Sequence, residues 1–128
     1  MANQITRGVK ISVETYYQEK HSDIVKGEYV FAYRVHIENY SEHTLQLISR
    51  HWHIFDAATG LSEVQGEGVV GQKPVLKPGQ SHVYVSGATI QSEIGRMWGS
   101  YTMQNKSDGS FFNVTIPEFN LVVPHVLN

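Results

Sequence analysis

Apolar and polar residues alternate with a period of two along most of this 128-residue chain. From Val9 to Tyr17, Val9, Ile11, Val13, Thr15 and Tyr17 share one side while Lys10, Ser12, Glu14 and Tyr16 take the other. This predicts a strand with one buried face, because successive side chains of an extended chain point to opposite sides. After the polar break "QEKHSDIVKGE", the segment "YVFAYRVHIENYS" repeats the pattern. Tyr29, Phe31, Tyr33, Val35 and Ile37 form one face; Arg34, His36 and Glu38 form the other with Val30 and Ala32. Such β-branched and aromatic content suits a pleated, half-buried surface.

In "HTLQLISRHWHIFDAATG" the parity slips, with Leu45 and Leu47 on one face but Ile48, Trp52 and Ile54 on the other. A bulge near Ser49 and Arg50, or a switch of sheet, is the expected cause. Asp56 is expected to cap the turn "DAATG" and Gly60 to supply left-handed backbone. "LSEVQGEGVVGQKPVLKPGQ" then holds four glycines and two prolines, too many breakers for a helix. Pro78 and Gly79 predict a type II turn leading into a short strand around His82 to Val85. The chain closes in a predicted hairpin about Asp108-Gly109, with Met97, Gly99, Tyr101 and Met103 against Phe112, Val114 and Ile116. Pro117 should end that pairing or sit at an edge.

About seven strands, with turn signals every 8 to 12 residues or so, predict an all-β fold. The expected architecture is a two-sheet β-sandwich of the immunoglobulin or fibronectin type III kind, with a small closed barrel as the alternative. A single domain over residues 1–128 accounts for the length.

Composition narrows the function. Charged residues make up 17% of the chain against 41% hydrophobic, which argues against disorder. The formal net charge of -2 leaves no basic excess for a nucleic-acid partner. Cysteine is absent, removing disulfide, thiolate and Cys-based metal chemistry together. The N-terminal "MANQITRGVKISVETYYQEK" lacks an apolar run, and no stretch approaches the roughly 18 apolar residues of a membrane span. A cytoplasmic protein without a membrane partner is the expectation.

"VQGEGVVG" carries Gly66, Gly68 and Gly71 at the spacing G-x-G-x-x-G, which cradles a pyrophosphate where a strand meets a helix N-terminus. Pro74 and Pro78 fall where that helix would run, and each would cost about 3 kcal/mol inside it. The glycines are therefore expected to permit positive φ or close backbone packing in a bent connection between sheets. A weaker functional version remains, an anion-binding nest of loop amides helped by Lys73. A pyrophosphate-binding or phosphoryl enzyme built on the same loop is its stronger form.

His51 and His53, two apart on a strand, face the same side and suit a shared metal ion. No third ligand is evident: Asp56 falls on the opposite face, and His36 joins only if pairing brings it adjacent. Ser86 and Ser100 stand beside glycines without a nucleophile elbow, and the carboxylates are scattered singly, so no enzyme is expected. The aromatics, Tyr16, Phe111 and Phe112 among them, are read as mostly core.

The run "LISRHWHIFDAATGLSEVQGEGVVGQKPVLKPGQSHVYVSGATI", with "GRMWGSYTM" and "FFNVTIPEFNL", closely resembles the bacterial ApaG family. S-R-H-W, V-x-G-x-G-V-V-G and P-V-L-K-P-G carry the likeness, which covers nearly the whole chain. The resemblance implies a fibronectin type III-like sandwich in the cytoplasm, linked to cobalt resistance and magnesium efflux, with a related domain in some eukaryotic F-box proteins. It brings no catalytic residues and no cofactor. The expectation is a non-enzymatic module that binds a protein partner or a small anion, through an exposed sheet edge or the 64–76 loop, and self-associates through such an edge. Direct binding of a divalent metal by His51 and His53 is the alternative.

Overall fold

The computed structural model describes residues 1–127. Among these residues nine strands run in the order β1 (Ala2–Thr6), β2 (Val9–Tyr17), β3 (Tyr29–Asn39), β4 (Leu45–Asp56), β5 (Gly60–Glu67), β6 (Val75–Leu76), β7 (Ser81–Ile90), β8 (Ile94–Asn105) and β9 (Phe111–Val122). They form two antiparallel sheets, β1-β2-β3-β7 and β5-β4-β8-β9, with β6 pairing β4 beyond the end of β5. The fold is a β-sandwich, not a closed barrel.

The alternation read along β3 is the core of one sheet: Tyr29, Phe31, Tyr33, Val35 and Ile37 are all buried. Trp52 on β4 is the hub of the other, its ring edge-on to Tyr33 at 5.3 Å, Phe119 at 5.8 Å and Tyr101 at 6.4 Å. Aromatic rings meeting edge to face fill volume and match ring edges to ring faces, and the Tyr33–Trp52 pair does so across the two sheets. The Tyr84 and Tyr101 hydroxyls hydrogen-bond to each other inside this layer, linking β7 of one sheet to β8 of the other. Burial raises both phenols, so they stay protonated and the contact stays neutral.

The parity slip in β4 is a bulge between Leu47 and Ser49 in the pairing with β8. Leu45 and Leu47 before it, and Trp52 and Asp56 after it, are all buried. Gly79 has φ +84° and the Gln80 amide donates to the Lys77 carbonyl at 2.9 Å, closing the expected turn. Pro117 lies within β9, an edge strand, opposite a register shift between Met97 and Gly99, so pairing continues past it.

Four expectations need correction. About seven strands were too few, because β1, β5 and β6 show no alternation of their own. The strand expected at His82 to Val85 runs from Ser81 to Ile90. The glycine segment does not pass between sheets, since β5 and β6 both pair with β4. Tyr16 and Phe111 are exposed rather than core.

Candidate functional site

His51 and His53 lie on the outer face of β4, each about one-third exposed. The turn after β4 supplies what the sequence left out. Asp56 pairs with Gly60 across three residues, so each step back along β4 matches a step forward along β5, and three steps set Glu63 opposite His53. Counting from the Asp56 cap and Gly60 would have placed this carboxylate from sequence.

Glu63 Oε1 lies 3.0 Å from His51 Nε2 and 3.3 Å from His53 Nδ1, and one donor atom from each of the three residues falls within 4.8 Å of the others. A tetrahedral ion with ligand bonds of roughly 2.0–2.1 Å separates its donors by about 3.3 Å. The spacings to Glu63 are therefore those of adjacent ligands as well as of hydrogen bonds. Trp98 on β8 stacks on the His53 ring at 5.4 Å and 12°, fixing its plane, and Arg96 caps the Trp98 face at 5.5 Å.

Two other candidates stand apart. His36 is on β3 in the opposite sheet, 3.6 Å from Glu38 Oε1, and does not reach His51. Ser100 is the cross-strand neighbour of His51, but the imidazole turns to Glu63 and Gln65.

The glycine segment is built without a helix. The Gly68 amide donates to Ile48, and Val69 and Gln72 exchange two backbone hydrogen bonds around Val70 and Gly71. With φ +46° at Val70 and +75° at Gly71, this is a two-residue turn of the primed kind that suits hairpin twist. A valine in that conformation is strained by about 1–3 kcal/mol, and Val70 is nevertheless exposed at the tip. The Gly68 amide thus serves the pairing with β4, those of Val69 and Gln72 serve the hairpin, and Lys73 pairs with Glu67 at 3.3 Å. Those three amides are therefore not free to face an anion.

Gly66 sits in regular β5 opposite Arg50. The Arg50 guanidinium lies across it, Nη1 donating to the Glu67 carbonyl at 2.9 Å and to the Gly68 carbonyl at 3.0 Å. A Cβ at position 66 would come within 2.7 Å of Nη2, so a side chain there would push the guanidinium aside from its present place. Arg50 is a second site residue missed in the sequence. Its signal was the parity it shares with Trp52 after the bulge, which turns a cation inward.

Fold and surface together define a two-sheet β-sandwich that presents donor groups on an outer face and a cation between its sheets. The chain belongs to the ApaG family: the ApaG domain matches residues 19–105. Protein ApaG of Mesorhizobium japonicum is 43% identical over 124 residues, covering 97% of this chain and 95% of the relative. That of Brucella canis is 45% identical over the same length and coverage. Among solved structures, the putative ApaA protein from Bordetella pertussis superposes with a TM-score of 0.86 at 43% identity, over 91% of this chain and 94% of its own. A protein from Archaeoglobus fulgidus shares the fold alone, with a TM-score of 0.52 at 8% identity.

Proposed function

We propose that this chain is a non-enzymatic binding module that holds a divalent transition-metal ion at His51, His53 and Glu63. The observation that carries the reading is the convergence of one carboxylate and two imidazoles from two paired strands, each imidazole at the spacing of an adjacent ligand from Glu63 Oε1. Two neutral imidazoles and one carboxylate suit zinc or cobalt, whereas magnesium prefers an all-oxygen shell. Three protein ligands leave the fourth position open to water or to a ligand from a partner. The implied family link to cobalt and magnesium agrees with a cation site but does not enter the geometry.

Calorimetric titration with zinc, cobalt and magnesium tests it. One equivalent of zinc or cobalt is expected to bind with proton release, and magnesium is not. Glu63→Gln and His53→Ala, both on the sheet's outer face, should each weaken binding at least about tenfold while the melting curve holds. No heat with zinc or cobalt, or heat unchanged by both substitutions, refutes the site.

A second reading concerns the partner. β7 is an edge strand of ten residues with no Asp, Glu, Lys, Arg or Pro, and it exposes Val83 and Val85. The other edges are blunted, β9 by Pro117 and Glu118, β5 by Glu63 and Glu67, and β1 by its length of five residues. A long uncharged edge is a template for strand addition, and a second copy of the chain presents the same edge. Sedimentation should show association that grows with concentration and disappears in Val85→Lys; monomer at every concentration removes this reading.

A further inference from the structure

Arg50 is a half-buried cation with unspent hydrogen-bonding capacity. Among the described residues only its Nη1 is engaged, by two backbone carbonyls, and no ion pair includes it. The nearest acidic side chain on the loop, Glu67, is taken by Lys73. Beside the guanidinium, between β4 and β7, is a cavity of about 220 Å³ walled by Tyr33, Trp52 and Tyr84, with the Ser86 hydroxyl on its β7 side and Val70 at its lip. An adjoining cleft of about 200 Å³ shares Tyr33, Arg50, Trp52 and Ser86 and opens toward Val64 on β5. No carboxylate lines either space.

The guanidinium is only partly withdrawn from water, yet its uncommitted N–H groups beside the cleft have no acidic partner there. Its free N–H groups match an oxyanion in a planar, two-point geometry. One compensating cation calls for one negative charge, a carboxylate rather than a phosphate dianion. Aromatic walls call for a flat apolar body behind it. The volume lies below the roughly 300–1,000 Å³ of drug-sized sites, so the ligand is small.

We infer that the cleft between the two sheets is a binding site for a small aromatic or otherwise flat monocarboxylate, held by Arg50 and roofed by the Val69–Gln72 hairpin. The three glycines then have a joint role. Gly66 leaves room for the guanidinium, while Gly68 and Gly71 fold the hairpin over the mouth of the cleft. At Gly68 an added Cβ would lie 2.3 Å from the Gln72 carbonyl oxygen, so the hairpin closes only with glycine there.

The probe is benzoate, with benzamide as its neutral counterpart and inorganic phosphate as the competing anion. A chelator keeps His51, His53 and Glu63 free of metal, so this test and that of the metal site fail or succeed separately. In NMR of the full chain, benzoate should shift the Arg50 guanidinium and the Ser86 and Val70 amides saturably. Benzamide should bind at least about tenfold more weakly, because it lacks the charge that Arg50 meets. Arg50→Lys should lose about tenfold in benzoate affinity, since an ammonium lacks the planar fork. The benzamide comparison uses the unsubstituted chain and stands whether or not that variant folds. Absence of a saturable benzoate shift, equal affinity for benzamide, or a preference for phosphate overturns the inference.

Discussion

Replacing Asp56 with alanine should destabilise the sandwich more than any surface substitution of its size. Asp56 ends β4 and is only 5% exposed. Its Oδ1 accepts from the Ala58 amide at 2.9 Å and the Ser92 hydroxyl at 2.7 Å, and its Oδ2 accepts from the Gln91 amide at 2.6 Å. One carboxylate thus ties the turn between β4 and β5 to the connection between β7 and β8, which crosses from one sheet to the other. Hydrogen bonds to a charged group contribute about 1.5–3 kcal/mol each. Ala58 and Gln91 are exposed, so water recovers part of that loss when the carboxylate is removed. A net cost of about 3 kcal/mol follows, a large share of the roughly 5–15 kcal/mol that holds a domain together. With a urea m-value of about 2 kcal/mol/M, the unfolding midpoint falls by roughly 1.5 M.

The pH dependence checks the same contacts independently. Burial alone would raise the Asp56 carboxyl, but the Gln91 and Ala58 amides and the Ser92 and Thr59 hydroxyls outweigh it and hold it below the ordinary aspartate range. The unfolded chain therefore takes up this proton at a higher pH than the folded one. The stabilisation is fully present above the unfolded value of about 3.9 and is lost as pH falls through the folded value. Urea unfolding of Asp56→Ala should accordingly show a shallower loss of stability below about pH 4 than the parent. A midpoint within experimental error of the parent at neutral pH, or parallel acid limbs for the two proteins, would refute the assigned role.

Trp52→Ala removes the ring on which Tyr33, Tyr101 and Phe119 converge and should cost about 4 kcal/mol by urea unfolding, with a loss below 2 contradicting its place at the hub. Val70→Asn puts a residue that tolerates left-handed backbone at the first position of the hairpin turn and should raise stability by about 1 kcal/mol; a neutral or destabilising result would mean that the valine side chain is needed where it stands.

The elements legible in the sequence are those whose own side chains sort into two faces. β3 alternates without a break, and the bulge in β4 announces itself because Leu47 and Trp52 are both buried yet differ in parity. β1 and β5 carry no such signal. In β1, Asn3, Gln4 and Ile5 are all exposed, and the strand exists because the Arg7-Gly8 turn, with φ +50° and +82°, folds it onto β2. Exposed positions fill most of β5, which is held by its ladder to β4 rather than by burial. Glu63 has no facial signal either: its meeting with His53 is a property of register, legible only by counting from the Asp56–Gly60 turn. His51 and His53 needed only the period of two to be placed side by side.

The glycine spacing carries a further lesson about what a motif encodes. In a dinucleotide fold, the triplet lets backbone approach a phosphate, and the attraction comes from amides at a helix N-terminus. Here Pro74 leads into the short β6 and Pro78 sits in the turn after it, and the same spacing falls at the end of β5 and in a hairpin. The amides of Gly68, Val69 and Gln72 are spent within the sheet and hairpin, leaving the positive charge to come from a side chain on the neighbouring strand. Gly66 and Arg50 face each other in the β4–β5 ladder, and the missing Cβ of one makes room for the guanidinium of the other. Small-residue spacing therefore specifies where chain and charge approach closely; whether amides or an arginine supply that charge depends on the secondary structure in which the glycines fall.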